Sequence, residues 1–332
     1  MNDDEPQPAD GAYWDADAIA RELRDVRAAW RLARRRNVEH ETAEFPSRNI
    51  LEKVMAALAG CLFPLRLGPS FVRRHNEDAY VAETVQTALS RLYGQIRIEL
   101  AYALKGEAAA AIDREAGGII RDFASALPDL RRRLDLDVEA AYLGDPAARS
   151  VDEVLLCYPS ILAIIHHRLA HLLYRRGASV VARIIAEIAH STTGIDIHPG
   201  ATIGASFFVD HGTGVVIGET AIVGDRVRLY QAVTLGARTF PTEADGVLTK
   251  GLPRHPIVED DVVIYAGATI LGRITIGRGA VIGGNIWLTE DVPAGAVIHQ
   301  ASAERENNGG RLPRGHVVAS SVTQNGSRPV DP

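Results

Sequence analysis

A chain of 332 residues, 46% hydrophobic and 23% charged, has an ordinary globular composition with room for two domains and a substantial core. Its formal net charge of -6 argues against a nucleic-acid partner, and no run of about 18 apolar residues is present to cross a membrane. The two cysteines, Cys61 and Cys157, lack CxxC spacing and read as buried thiols of a reducing compartment. With no signal-peptide plan at the acidic N-terminus, the cytoplasm is the expected location.

Residues 1–14 are polar and read as a disordered tail. From residue 15 to about 36, Ile19, Leu23, Val26 and Trp30 recur at helical steps. Further helices are expected over about 49–62, 77–105 and 107–126, the last closing before Pro128. Another covers 129–142, stopped by Gly144-Asp145-Pro146. Ser150-Val-Asp-Glu153 has the form of a capping box, and Pro159 suits the first turn of a helix over about 160–176. A last helix spans about 179–190. Residues 15–191 are therefore an expected helical domain.

From residue 192 to 300 the period changes to six. Ile197, Ile203 and Val209 fall in step; after two extra residues the count resumes at Ile217, Val223, Leu229 and Leu235. After a longer break it runs through Val258, Ile264, Ile270, Ile276, Ile282 and Leu288. A second small or apolar residue sits two places earlier, as at Ala201, Val215, Ala221, Val227, Val262, Ala268 and Ala280. A six-residue period is the signature of a parallel β-helix, in which each hexad forms one flat face and three make a coil. The expected architecture is an all-helical domain followed by this coil, with 301–332 a flexible polar tail.

A solenoid that only stacks needs no ionisable residues where it breaks step, so the breaks are informative. One holds Asp210, His211 and the two-residue insertion; the other runs from about Ala237 to Pro256 and returns through Arg254 and His255. Asp196 and His198 stand about one coil before His211. A histidine can take a proton at neutral pH, a carboxylate can fix its tautomer, and a guanidinium suits a carboxylate ligand. The residues alone leave two readings open, a site that activates a hydroxyl and a set of structural corner groups.

The run Asp196-Ile-His-Pro199, Asp210-His-Gly-Thr-Gly214, Gly218-Glu-Thr220, Gln231-Ala-Val-Thr-Leu-Gly236 and Arg254-His-Pro256 closely resembles serine O-acetyltransferase over about residues 140–298. The resemblance implies a left-handed coil that moves acetyl from acetyl-CoA to L-serine, with no metal. It implies His211 as general base, Asp196 as its carboxylate partner, and Asp145 and Asp210 as holders of the substrate ammonium. Arg254 and His255 would receive the substrate carboxylate. Gly236 and Ala237 would face the thioester oxygen, and Ala266 and Gly284 would line the pantetheine channel. It also implies a homotrimer with active sites between neighbouring subunits, paired into a dimer of trimers. The chain departs in its longer loop before Arg254, in Ala237 for a second glycine, and in Val281 at a basic CoA-contact position. It ends Val330-Asp-Pro332, without the terminal isoleucine that docks into the O-acetylserine sulfhydrylase of this family, which counts against that complex.

Rival readings are a sister acetyltransferase for homoserine or a sugar hydroxyl, a γ-carbonic-anhydrase-like zinc protein, and a scaffold that only trimerises. His198 reads as structural, Glu219 as a corner residue, and Trp287 and Tyr265 as packing residues. His167 and His171 have metal-ligand spacing on a helix, but neither an HExxH pattern nor a nearby thiolate accompanies them.

Overall fold

A computed structural model describes residues 14–33, 44–104, 106–239, 241–242 and 246–300. The tails expected at 1–14 and 301–332 lie outside these residues, apart from Trp14. The chain divides into two compact units, residues 1–44 and residues 45–332.

The first unit carries α1 (Ala16–Ala33), started by the Asp15 carboxylate, which accepts the Ala18 amide at 2.9 Å. Ile19, Leu23, Val26 and Trp30 form its apolar stripe, and all are exposed.

The second unit begins with α2 (Arg48–Leu62), α3 (Pro64–Leu67), α4 (Glu77–Ala103) and α5 (Ala109–Gly144). It continues with α6 (Val151–Cys157), α7 (Pro159–Arg175) and α8 (Ser179–Thr193). The capping box at the start of α6 forms: Ser150 accepts the Glu153 amide, while Glu153 reaches back to the Arg149 amide. Pro159 is the first residue of α7, as expected. The break expected at Pro128 does not occur, and α5 runs unbroken for 36 residues. Phe123 and Leu130 are buried on either side of it while Pro128 itself is exposed. The helix thus keeps its buried face, and the carbonyl left without an amide partner is that of half-buried Ala124. Cys157, expected buried, is exposed at the end of α6, and Cys61 is half-buried. No helix among the described residues is long and apolar enough to cross a membrane.

At Gly194 the helices give way, among the described residues, to fourteen short strands. In the first coils they are β1 (Asp196–Ile197), β2 (Thr202–Ile203), β3 (Phe208–Val209), β4 (Val216–Ile217), β5 (Ile222–Val223), β6 (Arg228–Leu229) and β7 (Thr234–Gly236). After the long break come β8 (Ile257–Val258), β9 (Val263–Ile264), β10 (Thr269–Leu271), β11 (Thr275–Ile276), β12 (Val281–Ile282), β13 (Trp287–Leu288) and β14 (Val297–Ile298). They form three all-parallel sheets, β1-β4-β7-β10-β13, β2-β5-β8-β11 and β3-β6-β9-β12-β14. Strands three apart pair, except that β14 pairs with β12, the place between them being taken by Val292, which bridges Ile276; the chain thus winds round three faces and three corners.

Register follows the hexads. Val216 pairs with Thr234 and Thr269 with Trp287, three hexads apart, whereas Asp196 pairs with Val216 across the two-residue insertion. Every aliphatic counted in sixes is buried, as are the small residues two places before. Alternation along a strand explains both: each β-pair points one residue in and the next out. Trp287, expected to pack, is the outward residue of its pair and is 63% exposed.

Helices and coil share one apolar core and are tied by a buried ion pair. Arg168 of α7 forks onto Asp137 of α5 at 2.6 and 2.7 Å, and donates to the carbonyls of Ile203 and Gly204. Asp137 also accepts the Phe207 amide at 3.0 Å. The bridge fixes α5, whose far end delivers Asp145 to the coil.

Candidate active site

The expected site residues gather at two different corners of the coil. At the corner where the third sheet passes to the first lie Asp210 and His211, following β3. In each coil this corner contains a left-handed residue, Gly214, Ala232, Gly267 and Asn285 in turn. The insertion adds His211 (φ 58°) and Gly212 (φ 87°) to that pattern, and the Gly212 amide closes onto the Asp210 carbonyl at 2.6 Å. A non-glycine residue in this conformation is uncommon and strained, and here it throws the imidazole outward, 71% exposed. The Asp210 carboxylate lies 3.9 Å from His211 Nδ1.

Asp145 reaches the same corner from the C-terminus of α5. Gly144 makes the approach possible, since a Cβ there would come 2.9 Å from the Phe208 ring and 2.7 Å from the Arg228 guanidinium. Asp145 accepts the Tyr158 hydroxyl and the Ala147 amide. These bonds, Tyr158 first, hold its carboxyl below the usual range, and the charges of His211 and Arg228 add to the effect. The Tyr158 hydroxyl is pushed up in return, chiefly by its bond to Asp145. Ala266 and Gly284 sit farther along this corner on successive coils, and a Cβ on Gly284 would lie 3.1 Å from the Ala266 carbonyl oxygen.

Asp196 opens β1, and its carboxylate lies within 4.8 Å of the ligating atoms of Glu187 and His190 at the end of α8. Among the described residues no hydrogen bond joins it to His211. The turn carrying His211 packs on Ile195, next to Asp196, with a Gly212 Cβ site only 2.4 Å from the Ile195 side chain.

The second group lies where the first sheet passes to the second. Gly236 ends β7, Ala237 follows it, and Arg254 and His255 lead into β8. Thr220 organises them: its hydroxyl oxygen accepts the amides of Arg254 (2.9 Å) and His255 (3.1 Å). The Thr220 amide donates to His255 Nδ1 at 3.0 Å. His255 Nδ1 is thus an acceptor, and the neutral ring carries its proton on Nε2, available as a donor. Burial, then the charges of Arg254 and Arg273, pull its pKa down to about 4, so the ring is neutral near pH 7. Arg254 donates to Glu219 at 2.7 Å, and Glu219 also accepts the Tyr174 hydroxyl at 2.9 Å. Burial works to raise the Glu219 pKa, but these two bonds prevail and it lies below its ordinary value. His198 Nδ1 accepts the Gly200 amide at 2.9 Å, the structural bond expected of it.

Sequence patterns did not single out Tyr158, Tyr174, Thr220 or Arg273, and assigned Glu219 to the corner alone. Gly218-Glu-Thr220 held the available signal, because a glycine there admits the imidazole: a Cβ would lie 2.0 Å from His255 Cδ2. His167 and His171 pack 5.7 Å apart, and among the described residues they belong to no cluster of three metal-ligating groups.

Coils of parallel hexads with an acid–base set at their irregular corners define a class, the hexapeptide-repeat transferases, and this chain has both features. No family model matches the chain. It is 55% identical over 267 residues to the plasmid serine acetyltransferase of Synechococcus elongatus, covering 79% of this chain and 84% of that relative. It is 51% identical over 162 residues to the serine acetyltransferase of Mycobacterium tuberculosis, covering 49% of this chain and 67% of that protein. The solved structure of Entamoeba histolytica serine acetyltransferase 1 in complex with L-cysteine superposes with a TM-score of 0.65 at 38% identity, over 74% of this chain and 85% of that one. The chain belongs to the serine acetyltransferase family.

Proposed function

We propose that this protein transfers the acetyl group of acetyl-CoA to the hydroxyl of L-serine, giving O-acetylserine for cysteine synthesis in the cytoplasm. One observation carries the reading. Two carboxylates, Asp145 and Asp210, stand beside an exposed imidazole at one corner, while a guanidinium and a neutral N–H imidazole, Arg254 and His255, stand at another. The first set suits an ammonium next to a hydroxyl to be deprotonated; the second suits a carboxylate. Together they describe the ends of a zwitterionic amino acid.

Because one chain holds the two sets at separate corners, we read the active unit as a homotrimer of left-handed coils. The first corner of one copy would face the second corner of the next, and the helical domain 15–191 would join trimers in pairs. The transfer is direct. His211 takes the serine hydroxyl proton as the oxygen bonds to the thioester carbon, with Asp196 stabilising the imidazolium. The tetrahedral oxyanion faces the backbone amides near Gly236 and Ala237, the latter bonded to no described residue. The C–S bond then breaks, His211 returns the proton to the departing thiolate, and CoA leaves as a thiol. The small residues Ala266 and Gly284 leave space for the pantetheine arm. No step calls for a metal.

The test is thiol release from acetyl-CoA, followed with L-serine, homoserine and a simple sugar as acceptors. Serine-dependent release that disappears in His211→Ala is expected. Release with homoserine or a sugar but not with serine would overturn the acceptor and point to the 237–256 loop.

A further inference from the structure

The long break between β7 and β8 builds a cavity beside the Arg254 corner, of which the acetyl-transfer reading uses only Arg254 and its partner Glu219. Its described residues fold back on themselves, with Thr242 bridged to Leu248 and the Thr249 amide donating to the Pro241 carbonyl at 2.9 Å. Together with the Gly272–Arg273 turn of the next coil they enclose about 360 Å³. Four cations line it, Arg238, Lys250, Arg254 and Arg273, against one carboxylate, Glu219.

Glu219 is already paired with Arg254 at 2.7 Å. Arg273 donates through Nη1 to the carbonyls of Thr220 and His255, which orients it but leaves its charge uncancelled. Arg238 and Lys250 make no ion pair with a described residue. Among the described residues, three cations without a carboxylate partner therefore line a cavity whose other walls include Pro241, Leu248 and Pro253. Apolar walls focus such a field, and guanidinium forks match a tetrahedral oxyanion.

We propose that this cavity binds a dianionic tetrahedral group, a phosphate or a sulfate. The group could be a free oxyanion or a phosphate of a nucleotide-bearing ligand such as CoA; the recognising chemistry is the same. The site does not depend on the acetyl-transfer reading, and its test needs no turnover.

The experiment is calorimetric titration of the full chain with inorganic phosphate and with sulfate, at constant ionic strength set by chloride. Saturable binding is expected, weakened by about 100-fold or more in Arg238→Gln/Lys250→Gln, since each of the two lost charge-assisted contacts is worth about 1.5–3 kcal/mol. Lys250→Glu, a single change on an exposed side chain, should abolish it, with melting curves confirming that both variants fold. Competition assigns the source. Displacement of phosphate by CoA but not by 3′-dephospho-CoA assigns the cavity to the 3′-phosphate; displacement by both assigns it to the diphosphate; binding alongside either assigns it to a free oxyanion. An absence of saturable binding overturns the proposal. So does binding unchanged in the double variant.

Discussion

Replacing Arg168 with methionine tests how the helical segment is held to the coil. The guanidinium is 7% exposed and its partner Asp137 is fully buried. Methionine fills much of the same volume but removes four hydrogen bonds, leaving the carboxylate with only the Phe207 amide and orphaning the Ile203 and Gly204 carbonyls. Breaking a buried pair from one side costs about 3–5 kcal/mol, a large part of a typical ~5–15 kcal/mol stability. Urea unfolding at fixed protein concentration measures it. Burial already raises the Asp137 pKa against the opposing pull of Arg168. Without Arg168 it rises further, the native state binds the proton more readily than the unfolded chain, and stability falls as pH rises. The deficit should therefore be larger at pH 8 than at pH 5. Pairing the change with Asp137→Leu should recover most of it, because an apolar pair leaves no buried charge. A loss under ~1 kcal/mol, of the order of a surface pair, or one that ignores pH, would refute this account.

Three further outcomes follow from the second corner. Gly218→Ala drives a Cβ into the His255 ring site, 2.0 Å from Cδ2, so kcat/KM for serine should fall about 100-fold, with a stability loss of about 1–3 kcal/mol from the displaced ring; steady-state kinetics and a thermal scan decide it. Glu219→Gln releases the Arg254 fork and should raise the serine KM about tenfold while kcat changes less, as expected where ground-state binding is lost. Burial, ahead of nearby positive charge, holds His198 and His255 near pKa 4, whereas the unfolded rings titrate near 6.5. The unfolded state binds more protons in that window, so stability is intact above about pH 6.5 and declines as pH falls toward 4, measurable by denaturant midpoints across that range.

The coil was legible because its period of six repeats over many turns, and each aliphatic answers to the same inward position. The irregular corners were legible for the same reason: Asp210, His211, Arg254 and His255 stand where the period fails. The hydrogen-bonded partners were harder to see. Tyr158 meets Asp145 from the junction of α6 and α7, and Tyr174 meets Glu219 across 45 residues, contacts that no local pattern encodes. Pro128 misled because its usual effect on a helix assumes a buried or amide-dependent position, whereas here it lies on the open side of α5. Trp287 misled in the opposite sense, since the pleat alternates and a large apolar residue one place from Leu288 must face outward. The separation of His211 from Arg254 onto two corners follows from the three-sheet winding, which counting hexads does not reveal.

The central claim is that serine is acetylated at a site made from the His211 corner of one copy and the Arg254 corner of another. It is tested most directly by coexpressing His211→Ala and Arg254→Ala chains with different tags and isolating hybrid oligomers. Each variant alone should be nearly inactive. With equal mixing, about one quarter of the shared sites should combine two intact corners, so serine-dependent thiol release should return to about a quarter of the wild-type rate. Hybrids as inactive as their parents would place both corners in a single-chain site and contradict the account.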